Sequence, residues 1–171
     1  MTTTIDNLDN EEFHKPTLPS FLNVLTILTF IGSALQILAT IWGFISSKKS
    51  YETKDEILAQ MNTPGAPSFV KKMMGDPEEF LTTITKSFEN RIPILIVGLV
   101  AASLCIWGAM QMRQLKKQGF LIYTAGQIIG LLSSLIFIGF FMAKGFAFMF
   151  GAAIVILFIG MYAANRRHLI Y

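Results

Sequence analysis

Chemistry needs acids, bases, nucleophiles or metal ligands brought together, and this chain of 171 residues keeps most of them apart. His14 and His168 lie near opposite ends, and neither belongs to a His-x-x-Glu-His or Cys/His pattern that could hold zinc. Cys105 is the single cysteine, so it can form neither an intrachain disulfide nor a Cys-x-x-Cys redox pair. One compact group of acids exists, Asp76, Glu78 and Glu79 around Pro77. Beside a basic partner these carboxylates could act on lipid at an interface. A helix start explains them more economically, with Asp as N-cap, Pro at the first position and acids on the positive end of the dipole. No catalytic, cofactor-binding or metal-ligating residue is assigned, and the expectation is a protein that is not an enzyme.

The remaining polar groups that could matter are uncharged and lie inside apolar runs. No Asp, Glu, Lys or Arg occurs in 16–47, 92–112, 118–143 or 145–165. A hydrocarbon core about 30 Å thick needs roughly 20 apolar residues in a helix. Each run meets that length, and continuous apolar runs fit helices better than the short alternating strands of a barrel. Composition agrees: 53% of residues are hydrophobic and 15% charged, against roughly 25% charged in a soluble domain.

Ionisable residues within such runs would mark pumps and ion-coupled transporters. Their absence counts against that chemistry. Small multidrug-resistance transporters place a Glu in their first helix, where this chain has only the amides Asn23 and Gln36. Claudin-type proteins need two loop cysteines, which are also missing. The candidate polar positions are Gln36, Gln127, Ser133 and Ser134. Their ordinary role is interhelical hydrogen bonding, and their sharper role is to line a path or site for a neutral solute.

The elements that must position these residues follow from the runs. The fold class expected is all-α: a single membrane domain, 1–171, built as a four-transmembrane-helix bundle. A polar tail, 1–19, precedes a helix over 21–45. A polar loop, 46–91, carries short amphipathic helices, one near 51–60 and one after Asp76 with Phe80, Leu81, Ile84 and Phe88 on a shared face. A turn at 62–67 and a small apolar face of Phe69, Val70, Met73 and Met74 lie between them. Helices over 92–112, 120–142 and 146–165 follow, joined by a basic turn and by Lys144-Gly145, and a basic tail, 166–171, ends the chain. Short connections make the last three helices antiparallel neighbours.

Small residues recur at four-residue spacing, notably Gly98 with Ala102 and Gly126 with Gly130, which lets helix backbones approach closely. Trp42 and Trp107 fit interface anchors. The first 15 residues are net acidic, the wrong sign for a secretory signal, so the first apolar run is expected to remain as a helix. Positive charge is dense at Arg113, Lys116 and Lys117 and again at Arg166 and Arg167. By the positive-inside rule both termini are expected in the cytoplasm.

The stretch from Gly108 to Gln127, with Leu115-Lys116-Lys117-Gln118-Gly119-Phe120, then Tyr123 and Gly126-Gln127, resembles a segment of small bacterial four-helix membrane proteins of unknown function. The resemblance covers the second to fourth helices and implies a bacterial inner-membrane location. It implies no activity. Together these features predict a non-enzymatic multi-pass membrane protein, a structural or accessory component. The alternative is an oligomeric transporter or channel for a neutral or apolar solute. Expected partners are the lipid bilayer and either a second copy or another membrane protein, with no cofactor and no nucleic acid.

Overall fold

The computed structural model describes residues 19–61, 76–166 and 169. Among these there are six α-helices, one 3-10 segment and no strand. In chain order the helices are α1 (Ser20–Glu52), α2 (Lys54–Met61), α3 (Pro77–Glu89), α4 (Arg91–Arg113), α5 (Gln118–Phe137) and α6 (Phe146–Asn165), with the 3-10 segment at Phe140–Lys144. Four of them, α1, α4, α5 and α6, are long and apolar enough to cross a membrane. The 62–67 turn and the 69–74 apolar face lie outside the described residues, as does most of each terminal tail.

Two boundaries differ from the sequence expectation. The first helix does not stop at Ile45 but continues to Glu52, giving 33 residues and a length of about 50 Å. Nothing in Ser46 to Glu52 breaks a helix, and the polar change of composition there only alters what surrounds it. The third apolar helix ends at Phe137 rather than Met142. Gly139 adopts φ 134°, a conformation side chains rarely take, so the α-helix cannot continue. The amides of Ile138 and Gly139 both return to the Ser134 carbonyl, and the chain tightens into the 3-10 turn.

The helical linkers explain themselves locally. Pro93 in the first turn of α4 cannot donate to the preceding carbonyl, and α3 and α4 part at Asn90 (φ −98°, ψ 17°). The Asn90 side-chain amide then donates to the carbonyl of Phe137 at 3.1 Å, supplying a partner at the end of α5. Asp76 holds the extended N-cap conformation expected of it, but its carboxylate makes no cap hydrogen bond. Phe80, Leu81, Ile84 and Phe88 are half-buried, and so are Thr82, Thr83 and Thr85, so α3 does not bury its apolar face selectively.

Between α4 and α5 the chain closes with a Schellman pattern. The Lys116 amide bonds the Gln111 carbonyl and the Leu115 amide that of Met112, each at 3.0 Å. Leu115 occupies the left-handed position (φ 60°) where glycine is usual. Its side chain explains the exception, because it is buried in the main apolar cluster. That cluster gathers Leu22, Leu25, Cys105, Met112, Leu115, Tyr123, Tyr162 and Leu169. The start of α1, the α4–α5 turn and the residue after α6 therefore meet at one end of the molecule.

The packing is not that of an even four-helix bundle. α1, α4 and α5 form the close-packed group, and α6 joins it mainly near its C-terminal end. Tyr162 is the single buried residue of α6.

Candidate functional site

Small residues determine how closely the central helices approach. A Cβ on Gly108 would lie 2.6 Å from the Tyr123 amide nitrogen, and one on Gly119 2.6 Å from the Gly108 carbonyl oxygen. Gly126 sits against the Ala101 carbonyl and the Cys105 sulfur, where a Cβ would come within 2.9 Å of each. Ala101, Ala102 and Ala109 of α4 are fully buried. Gly98 instead faces α1, where its Cβ would meet the Thr40 methyl at 2.8 Å. Gly130 has ordinary clearance to Ala101 and to the Gln36 amide nitrogen. Gly98 thus serves a different seam from Gly126, and Gly130 borders the open space described next.

Along α1, Thr26, Thr29, Ser33, Gln36, Thr40 and Ser47 recur mostly at alternating steps of three and four residues. That spacing holds them on one face. The face turns inward: Thr26 is 0% exposed and Thr29 and Ser33 are 4% exposed, while Leu35, Leu38, Trp42 and Ile45 point outward. The Thr29 hydroxyl shares a 2.7 Å hydrogen bond with the Tyr162 hydroxyl. Tyr162 packs tilted on Tyr123 with ring centroids 4.7 Å apart, and the Gln127 amide donates to the Tyr123 hydroxyl at 3.0 Å.

Two cavities open along this polar face. The first, about 190 Å³, lies between α1, α5 and α6 and is lined by Thr29, Gly32, Ser33, Gln36, Tyr123 and Gln127 with Leu28, Ile154, Val155 and Phe158. The second, about 270 Å³, lies between α1, α3, α4 and α5. Its walls include Gln36, Thr40, Gly43, Phe44, Ser87, Arg91, Gly98, Gly130 and Ser133. Gln36 belongs to both. Its carboxamide and the Ser33 hydroxyl make no side-chain hydrogen bond to a described residue. Ser33 sits deep and Gln36 stands as a divider near the middle of the apolar part of α1.

The structure therefore brings Gln36 and Gln127 to one cavity and Gln36 and Ser133 to the other. Ser134 joins neither; its hydroxyl donates to the Leu131 carbonyl of its own helix. Ser133 also donates to its own helix, at the Gly130 carbonyl. Sequence reasoning missed Thr29, Ser33, Thr40, Tyr123 and Tyr162. The alternating step of three and four along α1 was the available signal for the first three; Tyr123 stood only in the resembling segment, with no role attached, and nothing marked Tyr162.

Tyr123, which lines the first cavity, also belongs to the apolar cluster with Leu22, Leu25, Met112 and Tyr162. No group of three His, Cys, Asp or Glu residues that could hold a metal occurs among the described residues. Compared with protein-family models, curated proteins and solved structures, the chain matches none.

Proposed function

We propose that this is a non-enzymatic multi-pass membrane protein, an accessory component that associates with itself or with another membrane protein along the open face between α1 and α6. Four helices of spanning length and apolar surface support the membrane location. The observation that carries the association is the first cavity. Among the described residues the Ser33 and Gln36 side chains have no hydrogen-bond partner there, a Cβ on Gly32 would meet nothing within 4 Å, and Tyr162 is the one buried residue of α6. Unpaired polar groups are costly in hydrocarbon, so a polar cleft facing lipid calls for a cover that brings hydrogen-bonding groups with it. A partner helix with polar or small residues is such a cover. The packed apolar cluster beside the cleft, which shares Tyr123 with it, supports an accessory role over a conduit.

A second reading keeps specific support. A cavity near the midplane beside Gln36 and Gln127 is what a carrier of a neutral solute would need. Placement of both termini in the cytoplasm rests on the positive charge at Arg113, Lys116, Lys117 and Arg166. The bacterial inner membrane rests on the resemblance around Gly108 to Gln127.

Photo-crosslinking from a residue introduced at Gly32, in native membranes, tests the proposal. Protein adducts, either a dimer or a larger hetero-adduct, are expected. Lipid adducts alone on a monomeric protein would overturn it, and protection of Gly32 by an added neutral solute would move the assignment to the carrier.

A further inference from the structure

The second cavity has a cation at one end, and that cation has no counter-ion among the described residues. Arg91 is half-buried, lines the cavity, pairs with no carboxylate and donates no hydrogen bond to a described residue. It is held instead by aromatic faces. Its guanidinium carbon lies 4.6 Å from the centroid of Phe88 and 5.8 Å from that of Phe44. Phe88 is in turn stacked on Tyr51 at 4.5 Å, and Lys54 lies 4.1 Å from the Tyr51 centroid. This stack fixes where the guanidinium sits, while contacts to ring faces leave its N–H edge available to an oxygen acceptor. Ser87 places a hydroxyl on the same cavity.

Inward from Arg91 the walls change character. Gly43, Ala39, Ile94, Leu95 and Gly98 flank a groove that reaches Gln36. Along α1, from Phe44 to Gln36, this is eight residues or about 12 Å. At about 270 Å³ the space is slightly below the roughly 300 Å³ at which pockets enclose a whole small ligand. It suits part of a larger molecule, with the rest outside. Arg91 also marks the point where the apolar run of α4 begins, the depth at which lipid headgroups sit.

We propose that this groove is a binding site for an acidic phospholipid. Its phosphate pairs with Arg91 and one acyl chain lies between α1 and α4. The site rests on the membrane location proposed above and is independent of the association face. Bidentate guanidinium–phosphate pairing gives geometric selection as well as attraction. Gly43 leaves open space on the groove, while at Gly98 the Thr40 methyl already stands 2.8 Å from where a Cβ would be. Gly98 is needed for the α1–α4 approach, whereas a Cβ on Gly43 would meet nothing within 4 Å. Gly43→Leu therefore fills the groove without forcing the helices apart.

The test uses the full chain in mild detergent, with native mass spectrometry during titration by phosphatidylglycerol or phosphatidylcholine. Recovery in the detergent-extracted membrane fraction checks the membrane location separately. One phosphatidylglycerol should be retained in preference to phosphatidylcholine. Arg91→Gln and Gly43→Leu should each weaken retention by about tenfold or more. Replacing the two exposed lysines of α1, Lys48→Gln with Lys49→Gln, should leave it unchanged, and millimolar inorganic phosphate should not displace the lipid. Equal retention of both lipids, or retention indifferent to Arg91→Gln, overturns the proposal. So does loss confined to the lysine variant, which means diffuse surface charge. Sensitivity to Arg91→Gln without sensitivity to Gly43→Leu would mean a headgroup contact with no chain in the groove. Displacement by phosphate alone would assign the site to a soluble anion. Should Arg91→Gln fail to fold, Gly43→Leu still decides the matter.

Discussion

At the scale of single residues, the polar groups of α1 are the informative ones. Thr26 and Thr40 satisfy their hydroxyls on their own helix, through the carbonyls of Asn23 and Gln36. Thr29 does not; it reaches across 133 residues of sequence to Tyr162. That bond is the polar fastening of α6 to the core. Interhelical bonds of this kind contribute about 0.6–1.7 kcal/mol in membrane bundles. Thr29→Val and Tyr162→Phe should therefore each destabilise modestly, and a double-mutant cycle in reversible detergent unfolding should show coupling of about 1 kcal/mol. Additive effects would mean that the two hydroxyls do not interact. Sequence alone isolated Gln36 and Gln127 because amides stand out in apolar runs. Thr29, Ser33 and Thr40 did not stand out, because a helix can satisfy a hydroxyl internally and the residue then reads as filler. Once the helix is packed, their shared face puts Thr29 and Ser33 on the first cavity and Thr40 on the second.

At the scale of elements, glycines of the apolar helices have opposite roles. Gly108, Gly119 and Gly126 are in backbone-to-backbone contact, whereas Gly151 and Gly160 have open space around them. Gly108→Ala should cost about 1–3 kcal/mol by overpacking the α4–α5 hairpin, and Gly160→Ala should stay within about 0.5 kcal/mol. Chemical unfolding of the two variants side by side checks this, and equal effects would contradict the seam. Four-residue spacing located Gly126 but could not say which seam it served, and Gly108 and Gly119 fall outside that spacing. The extension of α1 past Ile45 has its own consequence. It carries Tyr51 to Phe88, and the stacked pair joins α3 to α1. Such pairs contribute about 0.5–1.5 kcal/mol. Phe88→Ala should accordingly raise hydrogen exchange across 77–89 and leave α4–α5 protected. Composition changes at Ser46, which is why the sequence suggested a loop there. Helical hydrogen bonding does not depend on that change, and no proline or glycine interrupts the segment before Glu52.

At the scale of the molecule, the four long apolar helices were legible because hydrophobic length is a one-dimensional property. Their unequal packing was not. α6 is among the most apolar segments of the chain, yet it buries only Tyr162. Its surface otherwise consists of side chains such as Phe146, Phe150, Ile156 and Leu157, which remain exposed. In hydrocarbon such side chains need no protein partner, so apolarity does not predict where a helix docks. What does need a partner is the polar cleft between α6 and α1. The most direct measurement is photo-crosslinking in native membranes from Gly32, inside the cleft, compared with Leu35, on the outward face of the same helix. Protein adducts from Gly32 and none from Leu35 are the predicted result. A monomer that yields the same lipid-only adducts from both positions would contradict association through this face.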